Sequence, residues 1–208
     1  LHRSARNSSI NTQHIAMRAG KTTRSYMMNI SHNLKNTNIG CVIMASGLGV
    51  RFGGNKLMAD FGGRPMVDWI LEAASDCLEN VIVVTRNTGV VDLCNAKNIK
   101  VIFHEFPYRS DTIRLGIESL DDSVSGVLFC LADQPFISVV TLRKLLKTAT
   151  ENPDKIWRSS HGDLLGSPVY FPKKYFGFWR GSTNLCHFWA LRRRRRLFSS
   201  TYRLYHDG

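Results

Sequence analysis

A glycine-rich stretch, MASGLGVRFGGNK, runs from Met44 to Lys56 and places four glycines within ten residues. Peptide N–H groups exposed between a strand and a helix suit phosphate oxygens. Arg51 offers two parallel donors to such a group, and Lys56 offers a compact positive charge. The alternative is a flexible connector whose basic residues face water. The basic pair and the apolar run before the glycines favour a phosphate-binding loop.

Two well-known phosphate loops do not fit this stretch. A Walker A loop requires G-x-x-x-x-G-K-[ST]; Gly49 and Gly54 have that spacing, but Asn55 interrupts it and no hydroxyl follows the lysine. A dinucleotide loop requires G-x-G-x-x-G and an acidic residue after the second strand. Here the third glycine is displaced, and the second strand ends in Thr-Arg at 85–86. Each match fails at a residue that carries the chemistry.

Two further polar segments follow predicted strands: YRSD at 108–111 and ADQP at 132–135. Asp133 offers a hard carboxylate oxygen of the kind that Mg²⁺ prefers, although alone it could equally be a turn residue. Ser110 or Asp111 fits the cap of the following helix, and either could also contact a ligand. We expect His104 and His161 to face solvent, because nothing in the sequence indicates a metal cluster around them.

Strands and helices alternate between residues 39 and 151. Short apolar runs predict buried strands at 39–45, 81–85, 100–103 and 126–131. Helical periodicity or capping predicts helices at 65–75, 90–96, 110–120 and 139–150, and further strands are expected at 155–158 and 167–171. This order predicts an α/β fold: a Rossmann-like, three-layer α/β/α arrangement around a mostly parallel sheet. Ligands of such sheets lie at the carboxyl ends of the strands, where all three polar segments fall.

These motifs resemble the nucleotidyltransferases related to the molybdenum cofactor cytidylyl- and guanylyltransferases. The resemblance rests on MASGLGVRFGGNKLMADFGGRP at 44–65, RSDTIRLGI at 109–117, LADQP at 131–135 and GSPVYFPKKYF at 166–176. It implies the fold of the nucleotide-diphospho-sugar transferases. It also implies CTP as substrate, with GTP as the variant, molybdopterin as the partner that accepts the nucleotide, and Mg²⁺ as cofactor.

The resemblance also assigns roles by position. Gly47, Gly49, Arg51 and Lys56 would hold the triphosphate, with Ala45 and Ser46 beside them; Ser110 and Asp111 would lie near the nucleotide; and Asp133 would hold the metal. Arg51, Lys56 and Asp133 are the candidate catalytic residues. Transfer of a phosphoryl-type group depends on positioning and on neutralising charge, which agrees with this set of residue types.

The chain departs from the family pattern at two places. Gly49 stands where a serine is usual, so a loop hydroxyl is lost and backbone flexibility rises. After Phe176 the family's final acidic motif, which gives the metal a second carboxylate, has no counterpart. The composition changes abruptly there, and we hypothesise a shifted reading frame. Activity would then be weak or absent.

Positive charge is concentrated at the two ends of the chain. The net charge is +12, yet residues 38–175 carry 15 basic and 15 acidic side chains, while residues 1–37 carry six basic and none acidic. We therefore predict a basic, disordered extension at 1–37, a nucleotidyltransferase domain at 38–176 and a basic tail at 177–208 without a recognisable helix or strand. A nucleic-acid-binding domain would carry its charge on the folded face, so no specific nucleic acid is expected.

The five cysteines form no CxxC pair, and Cys41 and Cys130 lie in apolar runs as small buried hydrophobes. That usage suits a reducing compartment. No apolar run is long enough for a membrane span, and residues 1–37 have no secretory h-region. The sequence predicts a cytoplasmic protein without a membrane partner.

Several functions compete at this point. The first is transfer of CMP, or GMP, to molybdenum cofactor. A second is the sister reaction on a sugar or polyol phosphate. A third is a non-catalytic remnant that binds nucleotide or nothing, and a fourth is nucleic-acid binding through the basic ends alone.

Overall fold

The computed structural model describes residues 37–47, 49, 53–161, 164–177 and 202–205. Of His161, Leu164 and residues 202–205 it describes the backbone only. Arg51, which we predicted in the triphosphate loop, lies outside the described residues, as do residues 1–36 of the predicted extension at 1–37.

Among the described residues, seven strands form one sheet. They are β1 (Ile39–Ala45), β2 (Val81–Thr85), β3 (Lys100–Phe103), β4 (Gly126–Leu131), β5 (Trp157–His161), β6 (Leu164–Pro172) and β7 (Tyr202–Tyr205). Their order across the sheet is β3-β2-β1-β4-β6-β5-β7. β6 pairs antiparallel with both of its neighbours, and all the other pairings are parallel. The predicted α/β class with a mostly parallel sheet is confirmed.

In the part of the chain that the structure describes, four helices cover the two faces of the sheet. They are α1 (Met66–Ser75), α2 (Thr88–Ala96), α3 (Arg109–Glu118) and α4 (Val139–Glu151), with short 3-10 turns at Lys56–Met58 and Lys173–Tyr175. Apolar residues of α1, α2 and α4 pack in one core cluster, and those of α3 pack in a second cluster on the opposite face. Alternate residues of β1 enter each cluster, which is why every residue of that strand is buried.

The third helix begins before the residues that we expected to cap it. Its N-cap is Tyr108, which makes no side-chain capping bond, and Ser110 and Asp111 lie inside its first turn. The prediction that Ser110 or Asp111 caps this helix is therefore wrong. The backbone N–H of Asp111 donates to the carbonyl of Tyr108 at 3.1 Å, so a main-chain turn starts the helix without a capping side chain.

A strand within the predicted basic tail was not anticipated. The backbone of Tyr202–Tyr205 forms β7 and pairs in parallel with β5 at the edge of the sheet. Four residues are too few to show a period in the sequence, and their pairing partner lies more than forty residues earlier. The expectation of no strand or helix after residue 177 is wrong at this point.

One smaller expectation is confirmed among the described residues. Cys41 and Cys130 are both buried free thiols, and the Cys41 thiol donates a hydrogen bond to the sulfur of Cys130 at 3.9 Å. Within the described part of the chain, no helix combines the length and the apolar character that crossing a membrane requires.

Candidate nucleotide site

The strand order reverses between β1 and β4, which are neighbours although two other strands separate them in sequence. In open α/β sheets a crevice forms at such a reversal, at the carboxyl ends of the strands. A cavity of about 440 Å³ lies there. This volume is within the range of sites that bind cofactors and other small molecules.

The wall of the cavity combines the ends of four strands with the start of α3. Its lining residues are Met44, Ser46, Gly47, Gly49, Lys56, Leu57, Arg86, Phe106, Pro107, Tyr108, Arg109, Thr112, Leu131 and Asp133. Three of these side chains are cationic and one is anionic. The described wall therefore carries a positive balance that suits an anionic ligand.

Lys56 and Asp133 meet across the crevice. The Nζ atom of Lys56 lies 3.3 Å from Oδ2 of Asp133, although 77 residues separate them in the sequence. Asp133 is held near β1 because the backbone N–H of Ala132 donates to the carbonyl of Met44 at 3.2 Å. Both side chains keep substantial solvent exposure, 37% and 48%. The pair is therefore accessible to an entering ligand.

The loop after β1 depends on a left-handed glycine. Gly49 has φ +62°, and a Cβ atom added there would meet the carbonyl oxygen of Gly54 at 2.3 Å. The N–H of Lys56 donates to that same carbonyl at 2.9 Å. The loop therefore folds back on itself at a point where only glycine fits, and this brings the base of the Lys56 side chain beside Gly49.

His104 lies behind the cavity wall and is only 5% exposed. Its Nε2 atom is 2.8 Å from Oγ of Ser46 and 3.3 Å from Oγ1 of Thr112. The prediction that this histidine faces solvent is wrong, because the turn after β3 directs it into the protein. Burial, with help from the positive charge of Arg86, lowers the pKa of His104 below its usual value. The ring is therefore neutral at pH 7.

The predicted site residues divide into those that line the cavity and those that do not. Ser46, Gly47, Gly49, Lys56 and Asp133 line it. Ala45 is buried in β1, and its carbonyl accepts a hydrogen bond from Oγ1 of Thr85. Ser110 and Asp111 are absent from the described lining, where Arg109 and Thr112 of the same helix take part instead.

Sequence reasoning missed several lining residues. Arg86 directly follows β2, Phe106 and Tyr108 lie between β3 and α3, and Arg109 is the first residue of α3. Position alone could have identified them, because every residue that follows a parallel strand of this sheet reaches the same edge. The contribution of His104 had no such signal, since a lone histidine in sequence does not reveal that it is buried.

A carboxylate beside a phosphate-binding loop is a plausible magnesium ligand. Among the described residues, no three His, Cys, Asp or Glu side chains gather as a metal cluster. Mg²⁺ in nucleotide enzymes is commonly bound by one or two carboxylates together with substrate phosphates and waters. The exposed Asp133 fits that donor set. An enclosed metal site formed by protein side chains does not fit the described residues.

A nucleotide-sized, positively lined crevice at the switch point of an α/β sheet defines a protein of the nucleotide-binding class. Comparison with known proteins is more specific: the chain belongs to the MobA-like NTP transferase domain family, which matches residues 41–200.

Two curated relatives illustrate the range of this family. A 2-C-methyl-D-erythritol 4-phosphate cytidylyltransferase from Dictyoglomus thermophilum is 28% identical over 137 residues, which are 62% of this chain and 56% of the relative. A probable molybdenum cofactor guanylyltransferase from Natranaerobius thermophilus is 26% identical over 112 residues, 52% of this chain and 54% of the relative. The chain thus spans about half the length of these relatives.

Solved structures show the same fold. Rv0371c from Mycobacterium tuberculosis superposes with a TM-score of 0.70 and 21% identity, covering 83% of this chain and 89% of that one. A complex of the same protein with manganese gives a TM-score of 0.68 and 19% identity, covering 83% and 90%.

Proposed function

We propose that this protein is a nucleotidyltransferase that moves CMP from CTP onto the phosphate of molybdenum cofactor and releases pyrophosphate. The observation that carries the proposal is the meeting of Lys56 and Asp133, 3.3 Å apart, beside a glycine loop in the switch-point cavity. That arrangement places a cation, a potential metal ligand and peptide donors around one space.

The triphosphate would lie against the loop after β1. Gly47 and Gly49 allow the main chain to approach its oxygens, and Lys56 faces the same space. Arg86 and Arg109 bring two further guanidinium groups to the wall. We propose Arg51 as an additional phosphate ligand from its place in the sequence.

The reaction requires one bond to form and one to break. A phosphate oxygen of the acceptor attacks the α-phosphorus of CTP, and the bond from that phosphorus to the bridging oxygen of the β-phosphate breaks. Pyrophosphate leaves with the electron pair of that bond. The protein residues align the two phosphates and neutralise the growing charge on the leaving group, the role we assign to Lys56.

Mg²⁺ is the metal we propose for Asp133. When bound between the carboxylate and the phosphates, it would neutralise charge at the α-phosphate and at the leaving pyrophosphate. The manganese complex of Rv0371c supports a divalent metal in this fold. Asp133 is exposed enough for its carboxylate to leave the ion pair with Lys56 and bind a metal while the surrounding chain stays folded.

The choice of molybdenum cofactor over other acceptors rests on the motifs RSDTIRLGI and LADQP and on the guanylyltransferase relative. The cytidylyltransferase relative favours a second candidate, cytidylyl transfer to a sugar or polyol phosphate. GTP in place of CTP is the corresponding variant of the nucleotide.

Pyrophosphate release from the full chain would test the proposal. CTP and GTP are each supplied with Mg²⁺ and with either molybdopterin or 2-C-methyl-D-erythritol 4-phosphate. Release with CTP and molybdopterin is expected. Release only with the sugar-alcohol phosphate would move the activity to the second candidate. No release in any combination, with tight CTP binding by calorimetry, would indicate a non-catalytic nucleotide-binding protein.

A further inference from the structure

Two hydroxyl groups of the cavity wall share one buried histidine. Ser46 follows β1, Thr112 lies in the first turns of α3, and both line the cavity. His104 stands between them and contacts both through Nε2. The histidine is itself held in place, because its backbone N–H donates to the carbonyl of Thr85 at 3.0 Å.

The partners of Ser46 indicate where the histidine carries its proton. Oγ of Ser46 lies 3.2 Å from the carbonyl of Val84, which can only accept a hydrogen bond. If Nε2 is protonated, it donates to Ser46, and Ser46 donates to Val84. Nδ1 has no partner among the described residues in either tautomer, so it does not decide between them. With the proton on Nδ1, however, Ser46 would have one proton for two acceptors, Nε2 and the carbonyl of Val84.

This tautomer fixes what the cavity wall presents to a ligand. Ser46 uses its proton on Val84 and therefore offers a lone pair. Thr112 is only 1% exposed and its hydroxyl contacts the same ring nitrogen at 3.3 Å, so it supports the histidine from inside the protein. The wall then shows an acceptor at Ser46.

An acceptor at Ser46 matches the amino group of cytosine and mismatches the carbonyl group at the same position of uracil. Cytosine presents an amino donor beside a ring-nitrogen acceptor, whereas uracil presents a carbonyl acceptor beside a ring N–H donor. The two bases have almost the same size, so hydrogen bonding is the main difference between them. The aromatic side chains of Phe106 and Tyr108, on the same wall, suit the flat face of a base.

We propose that His104, supported by Thr112, is a positioning residue that orients the hydroxyl of Ser46 and thereby selects cytosine over uracil. The proposal rests on the proposed function, because it needs a nucleoside triphosphate in this cavity.

The experiment compares the dissociation constants of CTP and UTP by calorimetry, using the full chain with Mg²⁺. We expect the wild type to prefer CTP by at least about tenfold, since a wrong base leaves polar groups of the wall unpaired. His104→Phe should reduce the ratio to about one. His104→Gln should restore much of it, because the glutamine amide can place an N–H near the position of Nε2.

Thr85→Val is the matched control. It removes a buried hydroxyl of the same region that bonds to the carbonyl of Ala45 and does not line the cavity. It should leave the CTP to UTP ratio unchanged even if the protein is less stable. If His104→Phe does not fold, Ser46→Ala provides the second variant, and it should reduce the ratio in the same way.

Different outcomes overturn different statements. A wild type that binds no nucleoside triphosphate overturns the proposed function and this inference together. A wild type that binds CTP without preference over UTP, or a ratio that His104→Phe leaves unchanged, overturns this inference alone. Long-range ¹⁵N–¹H spectra of His104, assigned with the Gln variant, should show the neutral Nε2–H tautomer at pH 7 without nucleotide; an Nδ1–H tautomer would also overturn it.

Discussion

Lys56 and Asp133 pair at a partly exposed position, which makes their contact easy to break. Ion pairs of this kind contribute only about 0–1 kcal/mol to stability, and both side chains here are more than one-third exposed. A metal-bound triphosphate can therefore separate the two, taking the carboxylate for the metal and the ammonium for phosphate. The pair is better suited to ligand exchange than to stabilising the fold.

Replacing Lys56 by methionine tests this view. If the proposed function is right, loss of the cation should lower the rate of pyrophosphate release by about 10²–10³, the usual effect of removing one group that stabilises transition-state charge. The unfolding free energy should change by less than about 1 kcal/mol. Lys147→Met is the matched control, because Lys147 lies on α4, outside the cavity lining, and forms an exposed ion pair with Glu151 at 3.9 Å. Equal losses of rate in the two variants would contradict the role of Lys56.

Gly49 allows a sharper test of the loop. A serine there would combine a positive φ with a Cβ atom 2.3 Å from the carbonyl of Gly54. We expect Gly49→Ser to weaken CTP binding by tenfold or more, and the left-handed conformation alone to cost about 1–2 kcal/mol of unfolding free energy. Gly54→Ser is the control, because a Cβ there meets nothing within 4 Å. Calorimetric titration and urea unfolding of both variants measure the difference; a Gly49→Ser variant with unchanged affinity would show that the loop is free to change its shape.

At the scale of secondary structure, sequence and structure agree where burial decides the conformation. The four central strands are continuous apolar runs because helices cover both faces of the sheet, and the bounds predicted for β1 to β4 match those observed. Agreement fails at the start of α3 and at β7. A main-chain turn determines where α3 starts, and pairing with the distant strand β5 determines β7. Neither cause produces a pattern of side chains in the local sequence.

The same limit applies to the candidate site. The cavity-lining residues Ser46, Gly47, Gly49, Lys56 and Asp133 belong to motifs that stand directly after predicted strands. Arg86 belongs to no motif and could be located only by its place directly after β2. Thr112 lies inside the RSDTIRLGI motif, but its contact with His104 needed the three-dimensional arrangement. His104 needed it most, because its role depends on burial behind two residues that lie 58 positions before it and 8 after it.

The contact between α3 and β1 positions the wall that carries Thr112. A Cβ atom added to Gly116 would meet Cγ1 of Val42 at 2.5 Å, so the helix lies directly against the strand. We expect Gly116→Ala to lower the unfolding free energy by about 1–3 kcal/mol despite the better helix propensity of alanine. Gly89→Ala in α2 is the control, because its nearest neighbours lie at 3.3 Å and include the flexible side chain of Met58. Urea unfolding should give a clearly lower unfolding free energy for Gly116→Ala than for Gly89→Ala. The reverse order would mean that α3 moves away from β1 at little cost in free energy.

At the scale of the whole molecule, charge is distributed unevenly along the chain. Residues 38–175, which contain the candidate site, carry equal numbers of basic and acidic side chains, whereas the two ends are basic. Binding of nucleic acid through those ends would weaken steeply with salt, since it depends on release of counterions. Binding of CTP in the cavity depends on a few close contacts and should weaken much less. Titrations of CTP and of a single-stranded oligonucleotide at about 50 and 200 mM salt should therefore diverge, with a large loss of affinity for the oligonucleotide alone. Parallel losses would place both ligands on the basic ends.

The pH dependence of stability follows from the buried position of His104. Burial is the main cause that lowers its pKa in the folded protein; Arg86 and Arg114 act in the same direction, and Asp111 opposes them. Because the unfolded chain binds the proton more readily than the folded one, the unfolding free energy must fall as the pH drops below the unfolded value of about 6.5. Urea unfolding at pH 7.5 and 5.5 should show a larger loss for the wild type than for His104→Gln, whose side chain does not titrate. Thr85→Val should keep the loss seen in the wild type, because its histidine is intact. Equal losses in the wild type and the Gln variant would show that the pKa of His104 is the same in the folded and the unfolded chain. The ring would then be protonated in mildly acidic solution and could not be a neutral donor to Ser46.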